Sequence, residues 1–161
     1  MKIKIIKIPE LSGDRCSVYS VAIDDADDTL FDLFLKENMN AHLSEIQNIL
    51  SRIQTMGNKT GAREYFFKNY EGAFGDGICA LYDVSESKLR LYCIRYGSQI
   101  IVLGGGGVKK KNIRAFQEDD KLTDENYLLR NVAKVIKSNF REELFISEDG
   151  LNFEGELELE N

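Results

Sequence analysis

Residues 88–111 read KLRLYCIRYGSQIIVLGGGGVKKK, and no other stretch constrains the fold as strongly. Two apolar runs flank a tight Tyr96-Gly97-Ser98 turn, the pattern of a β-hairpin. Four glycines, residues 104–107, follow the second run, and three lysines follow the glycines. Glycine permits positive φ and close backbone approach, so the run marks either a bulge at a sheet edge or a place that receives a ligand. Arg90 and Arg95 lie in the first run, which suits the hairpin to an anionic partner.

The hairpin stands out because the chain as a whole is acidic, with a net charge of −6. Residues 58–114 hold ten basic and five acidic side chains, +5, and the remainder eleven basic and twenty-two acidic, −11. A local patch of this sign lets an acidic protein bind nucleic acid, although a solvated lysine face has the same composition. At 161 residues the chain is long enough for one domain with a real core. No run of eighteen apolar residues is present, and the start, MKIKIIKIPE, interleaves charge with apolar residues rather than forming a signal-peptide core. A cytoplasmic location is the expectation. Cys16, Cys79 and Cys93 are odd in number and widely spaced, which argues against disulfides and zinc knuckles. His42 is the only histidine, so a histidine-based triad is a poor fit, and its expected role is at the surface or near a helix cap.

Hydropathy patterning gives the order of elements. Residues 2–8 and 16–23 alternate as strands, with Ile3, Ile5 and Ile8 inward in the first and Tyr19, Val21 and Ile23 on one face of the second. Asp27 or Asp28 is placed to cap a helix carrying Leu30, Phe31, Phe34 and Leu35. Asn40 is placed to cap a second helix, whose stripe is Leu43, Ile46, Ile49, Leu50 and Ile53 and whose stop is Gly57. The two are expected to form an αα-hairpin. Residues 58–77 mix glycines with Arg63, Lys68 and five aromatics (Tyr65, Phe66, Phe67, Tyr70 and Phe74). Runs 78–84, 88–96 and 99–103 follow at short spacing and predict an antiparallel meander. A helix over 127–140 buries Leu128, Val132, Val135 and Ile136, with Thr123 as its cap. After Glu143 the pattern changes, giving a division into 1–143 and an acidic extension, 144–161, that forms a hairpin around Asp149-Gly150 or a tail.

Few motifs carry chemistry. The glycine run lacks the spacing and the Ser/Thr of a Walker loop, and it does not open a helix as a dinucleotide loop does. Glu118, Asp119 and Asp120 read as loop and capping charges, and neither a metal nor a cofactor is implied. Alternation in residues 88–96 puts Arg90, Tyr92 and Ile94 on one face, exposed or lining a cleft, with Leu89, Leu91, Cys93 and Arg95 toward the core. Arginine beside an aromatic suits phosphate and base contacts, and fixed cations stabilise a phosphoryl transition state without a metal.

The order strand, two helices, three-stranded meander, helix resembles the RelE/HigB-like toxins of bacterial toxin–antitoxin systems. The resemblance is carried by Leu89-Arg90-Leu91-Tyr92, a tight turn, Ile100-Ile101-Val102-Leu103 and Lys109-Lys110, with the tract 63–67 leading into the sheet. It covers roughly residues 16–140 and implies an α+β fold: a RelE-like antiparallel sheet with an αα-hairpin and a C-terminal helix, here with a C-terminal β extension. It also implies a metal-independent endoribonuclease that cuts mRNA at the ribosome and is neutralised by a cognate antitoxin. By motif position Arg90, Lys109 and Lys110 are the phosphate-contacting catalytic candidates, with Tyr92 beside them. Arg63, Lys68, Arg95, Lys111 and Arg114 are the candidate RNA-binding residues. The family's members are usually smaller and basic, and many carry larger side chains where this chain has glycines. The alternative on the same fold is a non-catalytic RNA- or protein-binding module.

Overall fold

The computed structural model describes residues 1–69, 71–73, 75–81, 87–110 and 119–161. Nine strands and three α-helices lie among them: β1 (Lys2–Lys7), β2 (Ser17–Ile23), α1 (Leu30–Asn38), α2 (Leu43–Thr55), β3 (Phe67–Lys68), β4 (Ile78–Leu81), β5 (Leu89–Tyr96), β6 (Ile100–Val108), α3 (Asp120–Asn139), β7 (Leu144–Ile146), β8 (Phe153–Gly155) and β9 (Glu158–Glu160). The fold is mixed α+β. Seven strands form one sheet in the order β3-β4-β5-β6-β2-β1-β9, and β7 and β8 pair separately as a hairpin. Every pairing is antiparallel except β2 with β6, where Ser17–Ser20 run beside Ile100–Leu103.

The central strands are apolar on both faces, and that makes the molecule three-layered. On β5, Leu89, Leu91 and Cys93 join a core with Phe31 and Phe34 of α1 and Ile46, Ile49 and Ile53 of α2. The intervening Tyr92 and Ile94 join the opposite core with Leu129, Val132, Val135 and Ile136 of α3. β4 and β6 divide their residues in the same way. Near-continuous apolar runs are the signature of strands covered on both sides. The expectation that Arg90, Tyr92 and Ile94 face a cleft is therefore corrected: α3 covers that face, and Tyr92 and Ile94 are fully buried.

The glycines at 104–107 belong to β6, which was expected to stop at Leu103. None of the four has a positive φ, so they are extended strand rather than a loop. Their small size is what matters. A Cβ on Gly104 would come within 2.8 Å of the Leu129 side chain, and one on Gly105 would overlap the Glu125 carboxylate, both on α3. A Cβ on Gly106 would overlap the Arg90 carbonyl across the sheet, where the register of β5 and β6 shifts between Leu91 and Cys93. The glycines let α3 lie directly on the strand.

Helix ends also differ from the sequence reading. Thr29, rather than an aspartate, caps α1 through a reciprocal box with Asp32, the Asp32 N–H donating to Thr29 Oγ1 at 3.1 Å. His42, not Asn40, holds the cap position of α2 and makes no side-chain cap bond. That helix passes Gly57 in a widened turn, Met56–Thr60, and ends at Gly61, whose φ is +78°. Helix α3 starts seven residues before the predicted 127, because buried Asp119 rather than Thr123 caps it by accepting from Leu122 N. Strand β4 is described to Leu81, and the rest of its expected length, with Tyr70, Phe74, Lys111, Arg114 and Glu118, lies outside the described residues.

The C-terminal extension is structured. Asp149 accepts from Ser147 Oγ and Leu151 N in the turn between β7 and β8, and β9 pairs with β1 so that Lys2 faces Glu160 and Lys4 faces Glu158. Leu159 is buried in the α3-side core.

Replacing Gly106 with alanine forces backbone apart at the centre of the sheet. The Gly106→Ala variant is expected to lose about 1–3 kcal/mol of stability, read as a lower urea midpoint with an unchanged slope.

Candidate nucleic-acid interface

Two predicted residues, Arg90 and Lys109, come to one end of the central strand pair. Glu45 of α2 fixes the start of β5: its carboxylate accepts from Ser87 Oγ at 2.6 Å, Lys88 N at 2.5 Å and Leu89 N at 3.0 Å. Lys109 N then donates to Lys88 O at 2.7 Å, and Arg90 stands opposite Gly107 in the register. Lys88 is exposed, while Arg90 and Lys109 are half-buried. Lys110, also exposed, lines a recess with Glu37, Asp119, Asp120 and Lys121. The charge there is mixed, since Lys121 Nζ sits 3.0 Å from Glu37 and 2.7 Å from Glu125. Lys110 thus borders carboxylates, and the cationic corner proper is Lys88, Arg90 and Lys109.

Tyr92 lies behind that corner in the core, with no exposed surface. Burial pushes its hydroxyl up to about 12, against the pull of nearby Arg90. It is in no position to touch a bound substrate. Beside it, α3 closes a buried polar lattice. Asn126 is fully buried and donates from Nδ2 to Glu71 O at 2.8 Å, and Arg130 donates to Asn126 Oδ1 and Glu71 O at 2.8 and 3.1 Å. Lys68 lies 3.7 Å from the Glu71 carboxylate at the β3 side. Its charge is paired within the fold.

Arg63 and Arg95 lie elsewhere. Arg95 is five residues along β5 from Arg90, about 17 Å at strand rise. Its Nε and Nη2 both donate to Ala62 O, at 3.1 and 2.7 Å, and its guanidinium stands 5.2 Å from the Phe67 ring centroid. Arg63 Nε donates to Thr60 O at 3.0 Å. With Arg15 these two arginines line an open groove of about 530 Å³ that also contains Asp14 and Glu64. The structure thus sets Arg90 and Lys109 at one end of the β5–β6 hairpin and Arg63 and Arg95 at the other, with Lys68 on β3 in neither group.

Sequence reading overlooked a third basic feature. Tyr127, Arg130, Lys134 and Lys137 recur at helical spacing along α3 and line one cavity. The spacing was legible, but the helix was read only for its buried stripe. The cysteines are packing residues: Cys79 and Cys93 face each other across β4 and β5, and burial raises both thiols, Cys79 to about 12. Among the described residues no group of three or more metal-ligating side chains converges, and no helix is long and apolar enough to cross a membrane. No protein-family model, curated protein or solved structure matches the chain.

Two measurements check these environments. Burial alone would raise the Glu45 carboxyl, but the hydrogen bonds from Ser87, Leu89 and Lys88 outweigh it and hold it below the usual range. A lowered native pKa stabilises above the unfolded value, near 4.3, and that contribution is lost as pH falls through the native one. Glu45→Gln is expected to cost about 1–3 kcal/mol at pH 7, with the gap from wild type narrowing in denaturation curves below about pH 4. Tyr92 is the opposite case. Its raised pKa favours the neutral fold fully below about pH 10 and loses that contribution above it. In an alkaline absorbance titration, Tyr92→Phe is expected to remove one phenolate that otherwise appears only near pH 12 or on unfolding.

Proposed function

We propose that this chain is a RelE/HigB-like toxin that engages mRNA at the ribosome and is held by a cognate antitoxin in the cytoplasm. One observation carries the reading: the Lys109 N to Lys88 O bond, with Arg90 opposite Gly107, gathers Lys88, Arg90 and Lys109 at one end of the β5–β6 pair. Two of these, Arg90 and Lys109, are motif residues that carry the sequence resemblance. Cations gathered at one strand end suit a phosphodiester, which arginine grips with a planar fork and lysine as a point charge. In metal-independent cleavage the ribose 2′-oxygen attacks the adjacent phosphorus, the 5′-oxygen leaves, and a 2′,3′-cyclic phosphate forms. Arg90 and Lys109 would stabilise the negative charge that grows on the phosphorane.

A second reading is favoured by the burial of Tyr92. With that phenol out of reach, the corner lacks the tyrosine that the resemblance sets beside its cations, which suits a module that binds RNA without cutting it.

Inducible expression, with mapping of mRNA 5′ ends on ribosomes, separates the two. Growth arrest with new 5′ ends, both relieved by Arg90→Ala or Lys109→Ala, is the expected result for the toxin. RNA binding that weakens in those variants without new 5′ ends gives the module. For either, each lost phosphate contact is expected to lower the salt-dependence slope by about one. Unimpaired growth together with no RNA binding overturns both.

A further inference from the structure

The cavity along the C-terminal half of α3 lies apart from the corner and has a different chemistry. It encloses about 390 Å³, within the usual size range of small-molecule sites. Tyr96 and Phe140 form an aromatic wall, their rings edge-on at 5.8 Å, with Phe153 behind Tyr96 at 5.5 Å. Tyr127 stands at the rim with 47% of its surface exposed. The Arg130 guanidinium lies 4.4 Å from the Tyr127 ring centroid, and its bonds to Asn126 and Glu71 fix it there.

Lys134 and Lys137 complete the rim, both exposed, and among the described residues neither has a carboxylate at ion-pair distance. Asp76 is the acidic residue lining the cavity, and its carboxylate is occupied by Ala73 N at 2.7 Å and Ile78 N at 3.0 Å. Among the described residues, two exposed lysines and the anchored Arg130 therefore face a space whose one carboxylate serves the loop backbone. Asn131 adds an exposed amide that can donate and accept. Gly75 leaves its side open, since a Cβ there would meet nothing within 4 Å.

We infer that this cavity binds a nucleoside phosphate, with the base against the aromatic wall and Tyr127 and the phosphate on Arg130, Lys134 and Lys137. Aromatic faces take any base by stacking, and an amide reads the polar edge. A purely apolar ligand would leave the two exposed lysines without a role, and inorganic phosphate would leave the aromatic wall without one. The same chemistry is offered by a free nucleotide and by a nucleotide within an RNA strand. The inference does not rest on the corner formed by Lys88, Arg90 and Lys109.

The test titrates the purified full chain with adenosine 5′-monophosphate, adenosine, inorganic phosphate and a fluorescein-labelled oligoadenylate of about ten nucleotides. Saturable binding of the monophosphate, stronger than that of adenosine or phosphate, is expected. Tyr127→Ala and the double variant Lys134→Ala/Lys137→Ala should each weaken it about tenfold or more, while Tyr127→Phe retains it. All three side chains are exposed, and circular dichroism of each variant checks that the fold is kept. Binding of the oligonucleotide alone, with the same variant pattern, supports the site with an RNA strand as the source. Monophosphate binding that the oligonucleotide cannot displace supports it with the free nucleotide as the source. No saturable binding of any nucleotide probe, equal affinity for phosphate and the monophosphate, or variants that bind like wild type would overturn the inference. These titrations read the cavity without growth arrest or ribosomes, so their failure and failure of the toxin reading are separate results.

Discussion

The close approach of α3 to the glycine end of β6 is the contact on which the rest of the structure depends. Any side chain at Gly104 or Gly105 would meet Leu129 or Glu125 of the helix. Without that clearance α3 would stand off from the sheet, and Leu122, Leu129, Val132, Val135 and Ile136 would lose their buried setting. Each such side chain contributes about 1.5–3 kcal/mol when fully buried. The same approach seals Tyr92 in the core and brings Asn126 and Arg130 against the Glu71 carbonyl. Glycine thus acts here through its missing side chain, and its freedom of φ is not used.

Net charge describes this surface poorly. Many lysines are neutralised within the fold: Lys2 by Asp25, Lys4 by Glu158, Lys36 by Asp28, and Lys121 by Glu37 and Glu125. The acidic C-terminal strand β9 lies beside the lysine-rich β1, where Glu158 meets Lys4. Lys88, Arg63, Lys134 and Lys137 take part in none of these pairs. A chain of net charge −6 can therefore present cationic ground along β5 and α3. What matters to an anionic ligand is which cations the fold leaves without a carboxylate.

Much of this architecture could be read from the sequence, and the misses share a cause. Strands β1 and β2, helices α1 and α2, and the β5–β6 hairpin follow from local periodicity and turn chemistry, so they sit close to where the sequence places them. The orientation of Arg90 and Tyr92 was misread because alternation assigns one face to solvent only when a sheet is covered on one side. Whether α3 covers the second face depends on residues 104–107, more than twenty positions from the middle of the helix, and no local window holds that information. The parallel pairing of β2 with β6 and the return of β9 to β1 are long-range for the same reason. The cationic corner was legible as composition, whereas the pairing of Lys68 with Glu71, and of Lys121 with two glutamates near Lys110, needed the fold.

The geometry of α3 ties the two cationic regions together. Its first turn lies over Gly107, beside Arg90, and its last turns lie over Tyr96 at the far end of β5. A twenty-residue helix is about 30 Å long, and β5 from Leu89 to Tyr96 spans about 23 Å. The corner and the α3 cavity are therefore held apart by rigid elements rather than by a hinge.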